Sequence, residues 1–210
     1  MIKKFRNAIG AIGFRYRHDL EQVRSKLENF KEANTNQGVS FSGILKYGKS
    51  FLGSFWPIKV RTGQGNFFAS IILGKHESPV FFALSQQVPG HRHPKMIGWI
   101  ALAFEKNAVL IETIQGEKWE KPGLDTFSQT VSVPWANFLV NQIERHARKL
   151  GFSEVKIRYP ETLENYKFPA TWGTKKTTKE IQRIMKHFIL KVAETASYSE
   201  RSGDYIVKKI

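Results

Sequence analysis

Glu112 stands in the run "VLIETIQG", residues 109–116, with Leu110 and Ile114 two positions away on either side. On an extended chain these three share a face, so the carboxylate has apolar neighbours. Such surroundings disfavour the anion, raise the pKa and suit a general base. The other reading is a residue on a solvated face, and the alternation of Leu110, Glu112 and Ile114 speaks against it. Gly116 closes the run and fits either a bulge or a plain strand end. His91 and His93 in "PGHRHPK" have a spacing at which two imidazoles share a metal. No third ligand is apparent and closed sites take about four, so the segment reads as a solvated loop and no metal is expected. "TGQGN", residues 62–66, lies between two strand-like runs and reads as a hairpin turn. The chain has no cysteine, which excludes disulfides, thiolate catalysis and cysteine-bound zinc, and fits a reducing cytoplasm.

The formal net charge is +15, which favours anionic partners: nucleic acid, anionic lipid or a phosphorylated cofactor. Five cations, Lys3, Lys4, Arg6, Arg15 and Arg17, precede the first acid, Asp19, and interleave with Phe5, Phe14 and Tyr16. That pattern suits phosphate contacts with base stacking, an anionic membrane surface, or an arm packed on the domain. The apolar part of this segment is short and broken by Gly10 and Gly13, so it reads as part of the mature protein and not as a secretory signal. No apolar run approaches the roughly 20 residues that span a bilayer.

The positioning elements follow from periodicity. Leu20, Val23, Leu27 and Phe30 predict an amphipathic helix over 17–33. Residues 39–116, including "GVSFSGILKYG", are rich in aromatic and β-branched runs and read as strands. "KMIGWIALAFEKNAVLIETIQG" predicts an antiparallel hairpin turning at Glu105-Lys106-Asn107. Residues 117–132, polar and carrying Pro122-Gly123, read as a loop or insertion. Trp135, Phe138, Leu139, Ile143, Ala147 and Leu150 then line one helical face, and Asn137, Asn141, Glu144, Arg145 and Arg148 the other. Pro134 opens this helix, Gly151 ends it, and "EVKIR" follows as a strand. Residues 161–177 read as irregular. Thr177 and Glu180 form a capping box before a second helix, and "GDYIVKKI" is a last strand. The fold class is α/β (α+β), with a basic arm and helix over 1–38 and one α/β domain over 39–210.

This order resembles the GNAT superfamily of acyl-CoA-dependent N-acyltransferases over about residues 96–210. "IGWIALAFEKNAVLIETIQG" looks like the family's hairpin. "WANFLVNQIERHARKLGFSEVKI" looks like its central helix and neighbouring strand, and "RIMKHFILKVAETASYSERSGDYIVKKI" like its last helix and strand. The resemblance implies a mixed sheet flanked by helices and transfer of an acyl group from acyl-CoA to a small-molecule or peptide amine. It gives the role of acceptor base to Glu112 and places the thioester along Thr113, Ile114 and Gln115. The family's glycine-bearing pyrophosphate loop corresponds here to "QTVSVPWA". That leaves Thr130, the Ser132 hydroxyl and the N–H groups of Trp135 and Ala136 to meet the pyrophosphate at a helix N-terminus. The alternative is a non-catalytic basic protein on the same scaffold, binding nucleic acid or an anionic membrane.

If the first cations hold nucleic acid, deleting residues 1–17 flattens the salt dependence of binding. Each lost phosphate contact removes close to one unit from the slope of log affinity against log salt. Fluorescence anisotropy across a salt series measures it, and an unchanged slope makes the arm structural.

Overall fold

Between residues 58 and 116 the apolar positions alternate or run unbroken, and the chain there forms five successive antiparallel strands. A computed structural model describes residues 44–54, 57–62, 65–73, 80–91, 93–167, 169 and 176–210. The strands are β1 Ile58–Thr62, β2 Gly65–Leu73, β3 Val80–Gln86, β4 Lys95–Phe104 and β5 Ala108–Gly116. After them come β6 Glu154–Arg158, β7 Glu200–Ser202 and β8 Tyr205–Lys209. The eight strands make one mixed sheet in the order β1-β2-β3-β4-β5-β6-β8-β7, in which β5 and β6 alone run parallel. The hairpin expected at 105–107 joins β4 to β5, closed by Glu105 N–H on the Ala108 carbonyl at 2.9 Å.

A parallel pair needs a crossover, and a helix supplies it. Among the described residues the helices are α1 Lys49–Ser54, α2 Lys121–Val131, α3 Trp135–Lys149, α4 Glu164–Lys167 and α5 Thr178–Thr195. The α3 stripe lies against the sheet with Leu139, Val140, Ile143 and Ala147 fully buried. Its end is the expected one. Gly151 takes φ +80°, and Phe152 N–H returns to the Ala147 carbonyl at 3.1 Å while its ring is buried. Helix α5 starts at the predicted capping box. Thr177 Oγ1 accepts from Glu180 N–H, and Glu180 Oε2 accepts from Thr177 N–H at 2.7 Å. The main core joins α1, α2, α3 and α5 to one face of the sheet, including Val109, Ile111 and Ile114. The opposite face carries a smaller cluster of Ala103, Ala108 and Leu110 against Tyr205.

Three expectations are corrected. Residues 117–132 are not a loop: a short turn at Lys118–Glu120 leads into α2. Pro122 sits in the first helical turn, where its missing N–H has no intrahelical acceptor, and Gly123 lies close under Gln86. Leu124 and Phe127 then bury one helical stripe, and the Phe127 ring lies 5.2 Å from Phe67 and 5.1 Å from Phe138. Residues 44–54 of the β-rich reading are helical, because Phe51 turns inward onto Phe104 and Phe152. Within 161–177 the described residues include the rest of a turn at Pro160–Thr162 and the short α4. The helix expected over 17–33 and the basic arm lie outside the described residues.

Ile143 is wholly enclosed in this core. Ile143→Ala is expected to cost about 3 kcal/mol, from lost burial plus the cavity it leaves. Urea unfolding followed by circular dichroism measures it, and a loss under 1 kcal/mol contradicts the placement of α3.

Candidate functional site

The parallel pairing of β5 with β6 runs from Ala108↔Glu154 to Ile111↔Ile157 and stops there. Beyond it β5 stays with β4 as far as Gly98↔Gly116, while the β6 chain turns away at Pro160. β6 ends at Arg158, one residue past the last pair, so β5 runs on for several residues beyond it. The β4–β5 register shifts at the same level: Leu102 faces Ile111 and Ala101 faces Thr113, which leaves Glu112 as the extra residue of a bulge.

Glu112 is buried and doubly held. Its Oε2 accepts from Arg158 Nη1 at 2.5 Å and its Oε1 accepts from the Tyr205 hydroxyl at 2.8 Å. Arg158 also lies over the Tyr205 ring at 5.8 Å. Burial raises the Tyr205 pKa, and the nearby Glu112 charge and hydrogen bond raise it further, so the phenol stays a donor. The bulge turns Glu112 away from Ile114. Ile114 faces the helices, whereas Glu112 meets Tyr205, which belongs to the opposite face. A carboxylate so engaged works as an anchor and must exchange a partner before it takes a proton from a substrate.

The other expected site residues are spread out. Thr113 is buried beside Glu112, Ile114 is core, and Gln115 is exposed. Thr130 lies in the last turn of α2 and gives its hydroxyl to the Thr126 carbonyl at 2.9 Å. Ser132 is exposed and left-handed at φ +56°, the residue that ends α2. The Trp135 N–H is not free for a phosphate: it donates to Ser128 Oγ at 3.0 Å, a cap supplied from the helix before. Ala136 is fully buried. The Trp135 ring lies on Gly98 near the start of β4, where a Cβ would stand 2.9 Å from it, and Leu124 fills the space over Gly116 at the end of β5. Lys3, Lys4, Arg6, Arg15 and Arg17 lie outside the described residues.

Sequence reasoning passed over Arg158, Tyr205 and Ser128. Arg158 follows from the register, which the sequence does not carry: with Leu110 opposite Lys156 in a parallel pair, the next outward step sets Arg158 beside Glu112. Two residues assigned to the polar face of α3 are in fact buried. Asn137 donates to the Val192 carbonyl at 3.0 Å and so joins α3 to α5. Glu144 pairs with Lys208 at 2.8 Å, and Lys208 also donates to the Ala196 carbonyl at 2.7 Å. Tyr198 is buried close by, and burial, then the Glu144 charge, raise its pKa. His91 and His93 are both exposed, and among the described residues no group of three or more His, Cys, Asp or Glu is placed to hold a metal. No helix among them is long and apolar enough to cross a membrane.

No protein-family model matches this chain, and no match is found among curated proteins or solved structures.

The alkaline limb of stability tests the Glu112 site. The Tyr205 pKa is raised on folding, so its stabilising effect is whole below the unfolded value of about 10 and declines as pH rises past it. Tyr205→Phe is expected to lose about 1–2 kcal/mol at pH 7 by removing the bond to Glu112. It also makes the loss of stability above pH 10 shallower than in the parent protein. Urea midpoints from pH 7 to 11 read both effects, and parallel curves would place Tyr205 away from the charge.

Proposed function

We propose that this chain is a GNAT-like N-acyltransferase that moves an acyl group from acyl-CoA to a primary amine. The observation that carries the reading is that β5 outruns β6 beside the start of α3. Its pairing with β6 ends at Ile111, and the residues from there to Gly116 have no strand on that edge among the described strands, which leaves backbone groups available. A thioester carbonyl placed along 113–116 would accept from such a backbone N–H, which stabilises the oxyanion formed when the amine attacks. The N-terminal dipole of α3 lies at the same end of β5 and favours the diphosphate of a CoA ester near 130–136. Transfer forms the amide bond, breaks the C–S bond and releases the thiol, with one proton leaving the amine. Glu112 is the carboxylate of β5; its side chain leaves from the face opposite α3, and it takes that proton once Tyr205 or Arg158 yields its place.

A second reading is a non-catalytic basic protein on the same scaffold, contacting nucleic acid or an anionic membrane. The double hold on Glu112 and the capped Trp135 N–H favour it, since both engage groups that catalysis would want free.

Thiol release separates the two. The chain has no cysteine, so a thiol reagent reads liberated CoA with no background from the protein. Acetyl-CoA with a panel of amines is expected to release thiol in step with protein concentration, and Glu112→Gln to slow release by about 10²-fold or more. Acyl-CoA at a hundredfold excess over Kd should also raise stability by about 2.7 kcal/mol. No thiol release and no thermal shift with any acyl-CoA at millimolar concentration would leave the binding-protein reading.

A further inference from the structure

We infer that the outer edge of β7, with the groove beside it, binds an extended acidic segment of a partner protein as a further strand of the sheet; this does not rest on the acyltransfer reading. Strand β7 ends the sheet, and among the described strands it pairs with β8 alone. Its residues, Glu200–Ser202, are all exposed. In an antiparallel pair the backbone N–H and C=O groups point alternately toward the partner and away from it. At least one residue of β7 therefore offers both groups outward, where an extended chain continues the ladder.

A groove of about 460 Å³ lies between this edge and the last two turns of α5. Leu190 and Ala193 of α5 and Ile206 of β8 give it an apolar lining, joined by Tyr159 and Arg201. Such a mixture, mostly apolar with a few polar groups, suits a bound side chain. Ile206 belongs to the helical core, and Arg201 is its direct partner across β7 and β8. Residues directly opposite share a face, so the Arg201 side chain stands on the groove side, the face of the sheet away from Glu112. Its guanidinium lies over the Tyr159 ring at 4.6 Å.

Charge selects the occupant. The two acids of the groove are each answered by a lysine: Lys191 pairs with Glu194 at 3.1 Å, and Lys209 with Glu200 at 3.7 Å. Arg201 makes no ion pair among the described residues, and Glu161, whose carboxylate feels its charge, is already held by Lys186. An acidic side chain placed opposite Arg201 on the added strand meets a cation that the Tyr159 ring holds in position, and opposite charges across a strand pair attract. The residue two positions along shares that face and sets an apolar side chain on Leu190 and Ala193. The segment that fits is therefore extended, with an acid and an apolar residue two positions apart. The net charge of +15 draws such a segment toward the chain.

The test is fluorescence anisotropy of a labelled, end-blocked octapeptide in which serine alternates with leucine and glutamate, titrated with the full chain. The variants are Leu190→Gln, which removes part of the apolar lining, and Arg201→Glu, which reverses an exposed charge and serves if the first does not fold; thermal unfolding of each confirms folding. Saturable binding is expected, weaker by about tenfold or more in Arg201→Glu. Binding is also expected to vanish when the peptide's backbone nitrogens are methylated, because the N–H groups that pair with β7 are then gone. Absence of binding at millimolar peptide overturns the inference. So does equal affinity in Arg201→Glu, or binding that survives backbone methylation, since the peptide then lies elsewhere or forms no ladder. A single-stranded oligonucleotide of the same net charge that binds as tightly, with the same dependence on Arg201, overturns it as well, because the edge would then be a general anion site.

Discussion

The parallel contact between β5 and β6 is the constraint on which the rest depends. A parallel pair cannot close through a tight turn, so the chain has to travel the length of the sheet and return. Helix α3 makes that journey with an apolar stripe of Leu139, Val140, Ile143 and Ala147 pressed on the strands it connects. Burying each large side chain contributes about 1.5–3 kcal/mol. β5 stays bound to β4 as far as Gly116, whereas its pairing with β6 ends at Ile157, so among the described strands the last residues of β5 have a neighbour on one edge only. That free edge is a consequence of unequal strand lengths under one helix.

Two buried carboxylates then fix the C-terminal strand. Glu112 holds Tyr205 on one face of the sheet, and Glu144, reaching from α3, holds Lys208 on the other. Both partners lie on β8, three residues apart, so they point to opposite faces of the strand. Burying a carboxylate costs several kcal/mol unless charge and hydrogen bonds offset it. Each anion here has a cation and sits in a chain of net charge +15. Their gain is in position: β8 is locked in register beside β6, and Arg158 ties the end of β6 to β5 through Glu112. The same hold makes Glu112 slow to act as a free base, so stability and chemistry compete at one residue.

Legibility in the sequence followed the range of the interactions. The stripe from Trp135 to Leu150, the capping box at Thr177 and Glu180, and the Gly151 end are local patterns, and the structure has each of them. The failure at 117–132 is also local in origin. Pro122-Gly123 reads as a turn by itself, and only the pocket between Phe67 and Phe138 makes Phe127 the centre of a helix. Asn137 and Glu144 read as solvent-facing because helical periodicity knows one buried side. The approach of α5 and of the C-terminal hairpin buried a second.

By itself the sequence determined the β4–β5 hairpin, α3, β6, α5 and β8, their order and their apolar stripes, since these depend on neighbours within about one helical turn or two strand positions. It determined as well that no thiol chemistry is open to the chain. Tertiary structure alone decided that Glu112 bulges out and is tied to Arg158, 46 residues on, and to Tyr205, 93 residues on. It decided too that Ser128 caps Trp135 and that Phe188 lies on its ring. Those contacts join segments whose separation along the chain carries no periodic trace, and they exist only because the sheet order places β8 beside β6 and the helix packing places α5 beside α3.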